Sequence, residues 1–280
     1  MQLARYAVLG HPVEHSQSPW IHERFAQATG QALCYERRLC PLDDFATSVR
    51  AFAAEGAAGC NVTVPFKFEA FALASRVSER AQRAQAANTL RFDADGWLAD
   101  NTDGVGLVRD IEHNARWPIA GRRVLLVGAG GAAAGVLGPL IEARPRVLVL
   151  ANRTLTKAQA LVERHADLAQ AHGVQLRATG LHDTQGSFEL VINGSASSLQ
   201  GETSPVPPHV LAPGALAVDL MYGAAAQPFL HWAESQGATG RDGLGMLVEQ
   251  AAEAFLFWRG VRPDTGPVLA DLRHRVQAKR

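Results

Sequence analysis

The chain has 280 residues, 47% of them hydrophobic, with 27 basic and 27 acidic side chains. This length and composition predict a globular, soluble protein with enough apolar residues for two cores. Because the charges balance, nucleic acid and anionic membranes are not expected partners, and a charged ligand has to be bound locally. No apolar run approaches the ~18 residues of a membrane span, and the three cysteines lack a C-x-x-C spacing, so the sequence predicts a cytoplasmic protein.

Apolar runs alternate with helical patterns along the chain, which predicts an α/β fold of parallel sheets covered by helices. In chain order, the predicted strands are 6–9, 59–64, 123–127, 147–151, 190–193 and 215–219. The predicted helices are 20–29, 43–55, 104–114, 132–143, 156–172, 229–235, 246–259 and 268–277. Several prolines predict an irregular loop at 201–213.

An H-x-x-E-H spacing near the N-terminus matches a zinc-peptidase pattern that requires a helix. It is formed by His11, Glu14 and His15. Pro12 lies inside the motif directly after Gly10 and the first predicted strand, which favours a loop. No separate metal ligand is suggested, so we expect no metal site.

Two short polar segments lie in the first half of the chain. Residues 61–67 read N-V-T-V-P-F-K, and the proline places Lys67 just beyond the end of a strand, where α/β proteins carry reactive groups. Residues 101–104 read N-T-D-G and lie directly before a helical pattern. Each segment also has an ordinary interpretation, with Lys67 as a solvated surface lysine and Thr102 or Asp103 as a helix N-cap.

A glycine turn follows the predicted strand 123–127 and opens a helix of small residues. Gly128 permits the tight turn, Gly130 lets bare backbone approach phosphates, and Ala133 allows the helix to pack on the strand. The N–H groups and dipole at the helix start favour an anion. We therefore predict a dinucleotide site in a Rossmann-type domain, the alternative being a glycine turn without a ligand. Its turn residues are Gly128, Ala129, Gly130, Gly131 and Ala132.

The next predicted strand, 147–151, ends at residues that select the type of dinucleotide. An NAD-binding protein places an acidic residue here, roughly 20 residues beyond the glycines, against the ribose 2′-hydroxyl. The sequence instead reads Asn152-Arg153-Thr154, and Arg153 and Lys157 offer two cations suited to a 2′-phosphate. NADP is therefore favoured over NAD. The alternative is that both cations are simply solvated at a helix start.

These segments have the order and spacing seen in the shikimate dehydrogenase family, which this chain resembles over nearly its whole length. The resemblance is carried by H-S-Q-S-P at 15–19, N-V-T-V-P-F-K at 61–67, A-N-T-L at 87–90, N-T-D-G at 101–104, G-A-G-G-A at 128–132, N-R-T at 152–154 and D-G-L-G-M-L-V-E-Q-A-A at 242–252. It implies reversible, NADP-dependent reduction of 3-dehydroshikimate to shikimate, a step of the shikimate pathway of aromatic amino acid biosynthesis.

The resemblance also implies roles for particular residues. Lys67 and Asp103 are the implied catalytic pair, and Ser16 and Ser18 can receive the substrate carboxylate, although Ser18 is also an ordinary N-cap. The other implied substrate contacts are Thr63, Asn88, Thr102, Tyr222 and Gln250. The other implied cofactor contacts are Asn152, Thr154, Leu220, Gly243 and Met246. Without the resemblance, Gln250 reads as a helix-surface glutamine, Tyr222 as a loop aromatic and Met246 as a core residue.

The glycine turn begins far from the N-terminus, so roughly 100 residues of separate α/β structure precede it. We expect two domains: a substrate-binding and catalytic α/β domain at 1–102, completed by returning C-terminal helices at 243–280, and a Rossmann-type NADP-binding domain at 103–242. A monomer or a homodimer is expected. Two alternatives stay open: a relative with relaxed choice of quinate or NAD, and an inactive NADP-binding protein that kept the fold.

Overall fold

The computed structural model describes residues 3–195, 197 and 204–278, and the chain forms two compact units. The first unit comprises Met1–Gly106 and Leu247–Arg275, and the second comprises Leu107–Met246 and Val276–Arg280. Both units contain a sheet and helices, so the predicted α/β class is confirmed. Among the described residues, no helix combines the length and the hydropathy needed to span a bilayer.

The first unit is built on a mixed sheet. Its strands are β1 (Ala4–Gly10), β2 (Leu33–Leu39), β3 (Gly59–Val62), β4 (Arg76–Val77), β5 (Thr89–Asp93) and β6 (Gly96–Asp100), in the order β2-β1-β3-β5-β6-β4. β1 pairs in parallel with β2 and β3, whereas β5 pairs antiparallel with β3 and β6. The expectation of parallel sheets is therefore wrong here. The reason is a tight hairpin after Asp93, closed by Gly96 at φ 122°.

The helices of the N-terminal part cover this sheet and carry its core. They are α1 (Ser18–Thr29), α2 (Phe45–Ala54), α3 (Lys67–Leu73), α4 (Glu79–Ala84) and α5 (Asp103–Arg109). Phe45, Val49 and Phe52 of α2 recur at helical spacing and are fully buried. The ring of Phe45 stacks on that of Phe66, with centroids 4.5 Å apart. This contact anchors the start of α3.

The second unit contains a fully parallel sheet. Its strands are β7 (Arg123–Val127), β8 (Val147–Asn152), β9 (Gln175–Gly180), β10 (Phe188–Asn193), β11 (Leu211–Asp219) and β12 (Thr239–Arg241), in the order β12-β11-β10-β7-β8-β9. All neighbouring strands are parallel. When β7 is taken as the first strand, this strand order is the one found in dinucleotide-binding folds. The switch point, where ligands are usually held, lies between β7 and β10.

The remaining helices begin and end close to the predicted positions. They are α6 (Gly131–Glu142), α7 (Leu155–Arg164), α8 (Ala166–Ala171), α9 (Gln227–Ser235), α10 (Leu244–Arg259) and α11 (Gly266–Gln277). The single helix predicted at 156–172 is interrupted at His165, and the helix predicted at 104–114 ends in a π-helical turn, Asp110–Asn114. The predicted loop at 201–213 is shorter, because β11 begins at Leu211; residues 201–203 lie outside the described part.

Candidate active site

Lys67 and Asp103 form a close ion pair in the first unit. The Nζ atom of Lys67 lies 2.5 Å from Oδ2 of Asp103, and the two side chains are 13% and 6% exposed. Each residue is the first of its helix, α3 and α5 respectively. Lys67 is therefore not a solvated surface lysine, and the side chain of Asp103 binds the ammonium instead of capping its own helix.

Asn88 connects this ion pair to further polar side chains. It is buried directly before β5, and its Nδ2 donates to Oδ1 of Asp103 at 2.8 Å. The same atom lies 2.9 Å from Oγ1 of Thr102, and Asn88 Oδ1 accepts a hydrogen bond from the Thr102 backbone at 2.9 Å. One carboxylate oxygen of Asp103 thus faces the ammonium while the other is held by an amide.

Gln250 of α10 joins the same cluster. Its Oε1 lies 3.2 Å from Asn88 Nδ2 and 3.4 Å from Thr102 Oγ1, and the side chain is largely buried. The close approach depends on Gly106 in α5, where a Cβ atom would lie 2.6 Å from the backbone nitrogen of Gln250. The helix-surface interpretation of Gln250 is therefore wrong.

Hydrogen bonds of Asn101 and Asp100 fix the segment that contains Thr102 and Asp103. The side chain of Asn101 donates to the carbonyl of Ala86 at 2.9 Å and accepts from the backbone N–H of Asp103. Before it, the buried carboxylate of Asp100 accepts from Arg80 Nε at 2.7 Å and from the backbone N–H of Asn101. Because these groups are paired and buried, the position of Asp103 is well determined.

The predicted carboxylate-binding serines form a turn at the start of α1. The Oγ atoms of Ser16 and Ser18 are 3.2 Å apart, and Ser16 Oγ accepts from the Ser18 backbone. The helix begins at Ser18 with Gln17 at the N-cap position, so the interpretation of Ser18 as the N-cap is wrong. Within residues 3–195, no direct hydrogen bond joins these serines to Lys67 or Asp103.

Thr63 and the histidine motif lie in the loops after β3 and β1. Thr63 is half-buried, and its backbone N–H donates to the carbonyl of Leu9 at 2.9 Å. Its methyl group occupies the space beside Gly10 that a side chain there would need. The segment from His11 to His15 is a non-helical turn, as predicted, and cannot present two imidazoles on one helix face.

The glycine turn after β7 has the geometry that a pyrophosphate needs. Gly128 has φ 107°, and a Cβ atom there would lie 2.9 Å from the carbonyl group of Gly194, so only glycine fits. Gly130 is the N-cap of α6, and a Cβ atom there would meet no described atom within 4 Å. The open space beside Gly130 and the N–H groups of residues 131–132 at the helix start fit a phosphate group.

The residues after β8 offer two exposed cations. Arg153 and Lys157 are both exposed and form no ion pair with any residue in the described part of the chain. The turn that contains Arg153 and leads into α7, the helix of Lys157, is held by Asn152, whose Nδ2 donates to the carbonyl of Thr154 at 2.8 Å. Two such cations beside a helix N-terminus repel one another, and an added anionic group stabilises both.

The remaining predicted residues of the second unit lie near the ends of β11 and β12. Gly243 donates its N–H to the carbonyl of Met221 at 2.8 Å, and a side chain there would clash with the carbonyl of Leu220. Leu220 and Met246 are buried. Tyr222 is half-buried before the 3₁₀ turn Gly223–Ala226, so it lies in the second unit, unlike the other predicted substrate contacts.

The fold and these sites define a dinucleotide-binding α/β protein with a lysine and carboxylate site. Three family models match the chain: a shikimate dehydrogenase substrate binding domain at residues 8–90, a shikimate / quinate 5-dehydrogenase domain at 111–199, and a shikimate 5′-dehydrogenase C-terminal domain at 243–273. The chain belongs to the shikimate dehydrogenase family, which confirms the family predicted from the sequence.

Curated relatives and solved structures agree with this family. The chain is 64% identical to the shikimate dehydrogenase (NADP(+)) of Methylibium petroleiphilum, covering 98% of this chain and 95% of that protein. It is 61% identical to that of Acidovorax sp., covering 98% and 97%. The structure of an Ael1 enzyme from Pseudomonas putida matches with a TM-score of 0.87 and 49% identity, covering 96% and 98%. Shikimate 5-dehydrogenase from Thermus thermophilus, in complex with NADP(H) and shikimate, matches with a TM-score of 0.83 and 31% identity, covering 97% and 99%.

Proposed function

We propose that this chain catalyses the reversible, NADP-dependent reduction of 3-dehydroshikimate to shikimate. The observation that carries the proposal is the contact of 2.5 Å between Lys67 and Asp103, which places an ammonium in a largely buried polar cluster. The curated relatives, named as NADP-dependent shikimate dehydrogenases at 54–64% identity, support the same reaction. The quinate-oxidising relative and the inactive NADP-binding protein are the competing assignments.

Lys67 and Asp103 deliver a proton to the substrate oxygen in the reduction and accept it in the oxidation. NADPH supplies the hydride, so the protein has to stabilise the negative charge that develops on the carbonyl oxygen and deliver one proton to it. The ammonium of Lys67 can do both. Asp103 orients that ammonium through one oxygen while Asn88 holds the other. In shikimate oxidation the same pair accepts the hydroxyl proton.

Neutral polar side chains suit the ring of the substrate. Hydroxyl groups on a ring both donate and accept hydrogen bonds, as amide and hydroxyl side chains do. We assign the ring and its hydroxyls to Thr63, Asn88, Thr102, Tyr222 and Gln250. The carboxylate is assigned to Ser16 and Ser18, whose hydroxyls lie together at the start of α1.

The second unit holds NADP in this proposal. The pyrophosphate is assigned to the turn at 128–132, and the 2′-phosphate to Arg153 and Lys157, with Asn152 and Thr154 shaping their turn. Leu220, Gly243 and Met246 are assigned to the nicotinamide end. The exposure of both cations and the open space beside Gly130 support this assignment.

We further propose that residues 1–102 with 243–280 act as the substrate domain and residues 103–242 as the NADP domain. A cytoplasmic location is proposed as well, supported by three free cysteines, two of them buried. The protein is proposed to act as a monomer or a homodimer.

The activity is tested by following nicotinamide absorbance with shikimate or quinate, each offered with NADP and with NAD. We expect turnover to be fastest with shikimate and NADP. Turnover at a comparable rate with quinate or with NAD supports instead a relative with a relaxed choice of substrate or cofactor. Tight NADP binding without turnover of either acid supports the inactive protein and overturns the proposed reaction.

A further inference from the structure

A buried path of hydrogen bonds leads from Asn88 to strand β2, away from Asp103. Thr89 Oγ1 donates to Asn88 Oδ1 at 2.9 Å and accepts from Nδ2 of Asn61 at 2.9 Å. The hydroxyl of Tyr35 donates to Oδ1 of Asn61 at 2.7 Å. Three side chains from three strands, Tyr35, Asn61 and Thr89, therefore form a path that ends at the Asn88 amide, which binds Asp103.

The direction of each hydrogen bond on this path is determined by the next one. Because the Tyr35 hydroxyl donates to Asn61, the amide oxygen of Asn61 faces Tyr35 and its NH₂ group faces Thr89. The Thr89 hydroxyl accepts from that NH₂ group, so its own hydrogen points to Asn88 Oδ1. The NH₂ group of Asn88 is then turned toward Asp103. Thr89 is fully buried and Asn61 and Asn88 nearly so, which makes an unpaired orientation costly.

Strand β2 also holds the serine turn. The guanidinium of Arg37 donates to the backbone carbonyl of Ser16, with Nε at 2.9 Å. Tyr35 and Arg37 are two residues apart on β2, so their side chains leave the same face of the strand. Burial raises the pKa of Tyr35 well above its ordinary value, with the Ser18 side chain opposing the rise, so the phenol stays a hydrogen-bond donor at neutral pH.

We propose that Tyr35, Asn61 and Thr89 are positioning residues for the reaction assigned to Lys67 and Asp103. They fix the orientation of the Asn88 amide, and through it the carboxylate of Asp103, relative to the serine turn that β2 supports. The inference rests on the proposed function. None of the three residues has to touch the substrate for this effect.

We expect that breaking this path of hydrogen bonds lowers the rate of the chemical step. Without the Thr89 hydroxyl, Asn88 Oδ1 keeps its contacts with the backbone N–H and the hydroxyl of Thr102 but loses the hydrogen bond from Thr89. The Asn88 amide is then held by fewer hydrogen bonds, so the Asp103 carboxylate that orients the ammonium of Lys67 is positioned less firmly. Misplacement of catalytic groups by about 1 Å costs up to roughly 100-fold in rate. Cofactor affinity depends on the second unit and should not change.

The experiment compares two substitutions at Thr89 in the full-length enzyme. Thr89→Val keeps the shape and removes the hydroxyl, whereas Thr89→Ser keeps the hydroxyl and removes the methyl group. We expect kcat with shikimate to fall about 10- to 100-fold in Thr89→Val and to be largely retained in Thr89→Ser. The NADP dissociation constant should equal that of the wild type in both. Thr184→Val is the matched control, since that buried hydroxyl donates to the Gly180 carbonyl in the second unit.

A second pair of variants tests the other end of the path. Tyr35→Phe should lower kcat with shikimate, because Asn61 Oδ1 loses its hydrogen bond from the phenol. Tyr6→Phe is its control, as Tyr6 is a buried tyrosine of the same unit that stacks on Trp258 and lies outside the path. If Thr89→Val fails to fold, the comparison of Tyr35→Phe with Tyr6→Phe tests the proposed positioning role instead.

The inference is overturned if Thr89→Val and Tyr35→Phe keep wild-type kcat, whatever their thermal stability. It is also overturned if Thr89→Ser loses as much kcat as Thr89→Val, because packing and not the hydroxyl would then be responsible. A wild-type protein without shikimate turnover would instead overturn the proposed function itself, so the two failures are distinguishable.

Discussion

Lys67 and Asp103 are 36 positions apart in the chain, yet they share one short hydrogen bond. The sheet explains this contact. β3 and β6 both pair antiparallel with β5, so they run in the same direction and end at the same edge. Lys67 follows β3, and Asp103 follows β6. Asn88, directly before the antiparallel β5, lies at that edge too, and so does the serine turn after β1.

Replacement of Lys67 should therefore affect the reaction much more than cofactor binding. Lys67→Met keeps most of the side-chain volume and removes the charge, and kcat with shikimate should fall about 10²- to 10⁴-fold. The NADP dissociation constant, measured by fluorescence titration, should stay at the wild-type value. Near-normal turnover of Lys67→Met would remove Lys67 from the mechanism.

Arg153 should determine the preference for NADP. Hydrogen bonds to charged groups contribute about 1.5–3 kcal/mol, so Arg153→Ala should lower kcat/KM for NADP about 10- to 100-fold while leaving the value for NAD unchanged. Lys157→Ala should show a smaller effect in the same direction. Arg177→Ala, which removes an exposed arginine from β9, serves as the control. Equal losses with NADP and NAD would show that Arg153 does not bind the 2′-phosphate.

The glycine turn could be predicted because its signals are contiguous. An apolar strand, the glycines and a helix of small residues follow one another between residues 123 and 142, and each is visible within a short window. The packing of Gly128 against Gly194 is a contact between distant segments, so the sequence does not show why glycine is required there.

The first unit was harder to predict because its elements are short. β4 has two residues, and α3 and α4 have seven and six, which is too few for a hydrophobic period to be recognised. The hairpin of β5 and β6 does have a sequence signal, since its two-residue loop, Ala94-Asp95, is followed directly by Gly96. This signal predicts an antiparallel pair at β5 and β6. The path from Tyr35 to Asn88 depends on side-chain packing across strands, and no local pattern reveals it.

The two glycines of the turn should differ in what their replacement changes. Gly128→Ala forces a side chain into a positive φ and against Gly194, so both stability and NADP affinity should fall. Gly130 has φ −86° and open space around it, so Gly130→Ala should leave the thermal midpoint unchanged. NADP affinity of Gly130→Ala should still fall, because the methyl group occupies the space assigned to a phosphate. Unchanged NADP affinity in Gly130→Ala would contradict this assignment.

His22 should make the protein sensitive to acid. It is fully buried and stacks on Tyr35 with ring centroids 4.2 Å apart, and burial lowers its pKa from 6.5 to about 3. Neither ring nitrogen has a hydrogen-bond partner among the described residues. Between these two pH values the unfolded chain binds the proton and the folded chain does not. The free energy of unfolding should therefore fall as the pH is lowered from 6.5 toward 3, by roughly 1 kcal/mol per pH unit from this residue.

Urea unfolding at a series of pH values, with His22→Phe beside the wild type, measures this contribution. The variant should lose less stability than the wild type as the pH falls below 6.5, and the two curves should run parallel above it. His231→Phe, at an exposed position of α9, is the control and should keep the wild-type slope. A His22→Phe curve parallel to the wild type at all pH values would show that His22 does not cause the acid sensitivity.

Arg241 and Asp110 form a buried ion pair that should stabilise the second unit. Asp110 is fully buried, and its two oxygens accept from Nε and Nη2 of Arg241 at 2.7 and 2.5 Å. Arg241→Met leaves that carboxylate without its cation, so the free energy of unfolding should fall by about 3–5 kcal/mol. The double variant Arg241→Met with Asp110→Leu removes both charges and should recover much of this loss. If the double variant is no more stable than Arg241→Met alone, packing of the arginine stem and not the unpaired charge accounts for the loss.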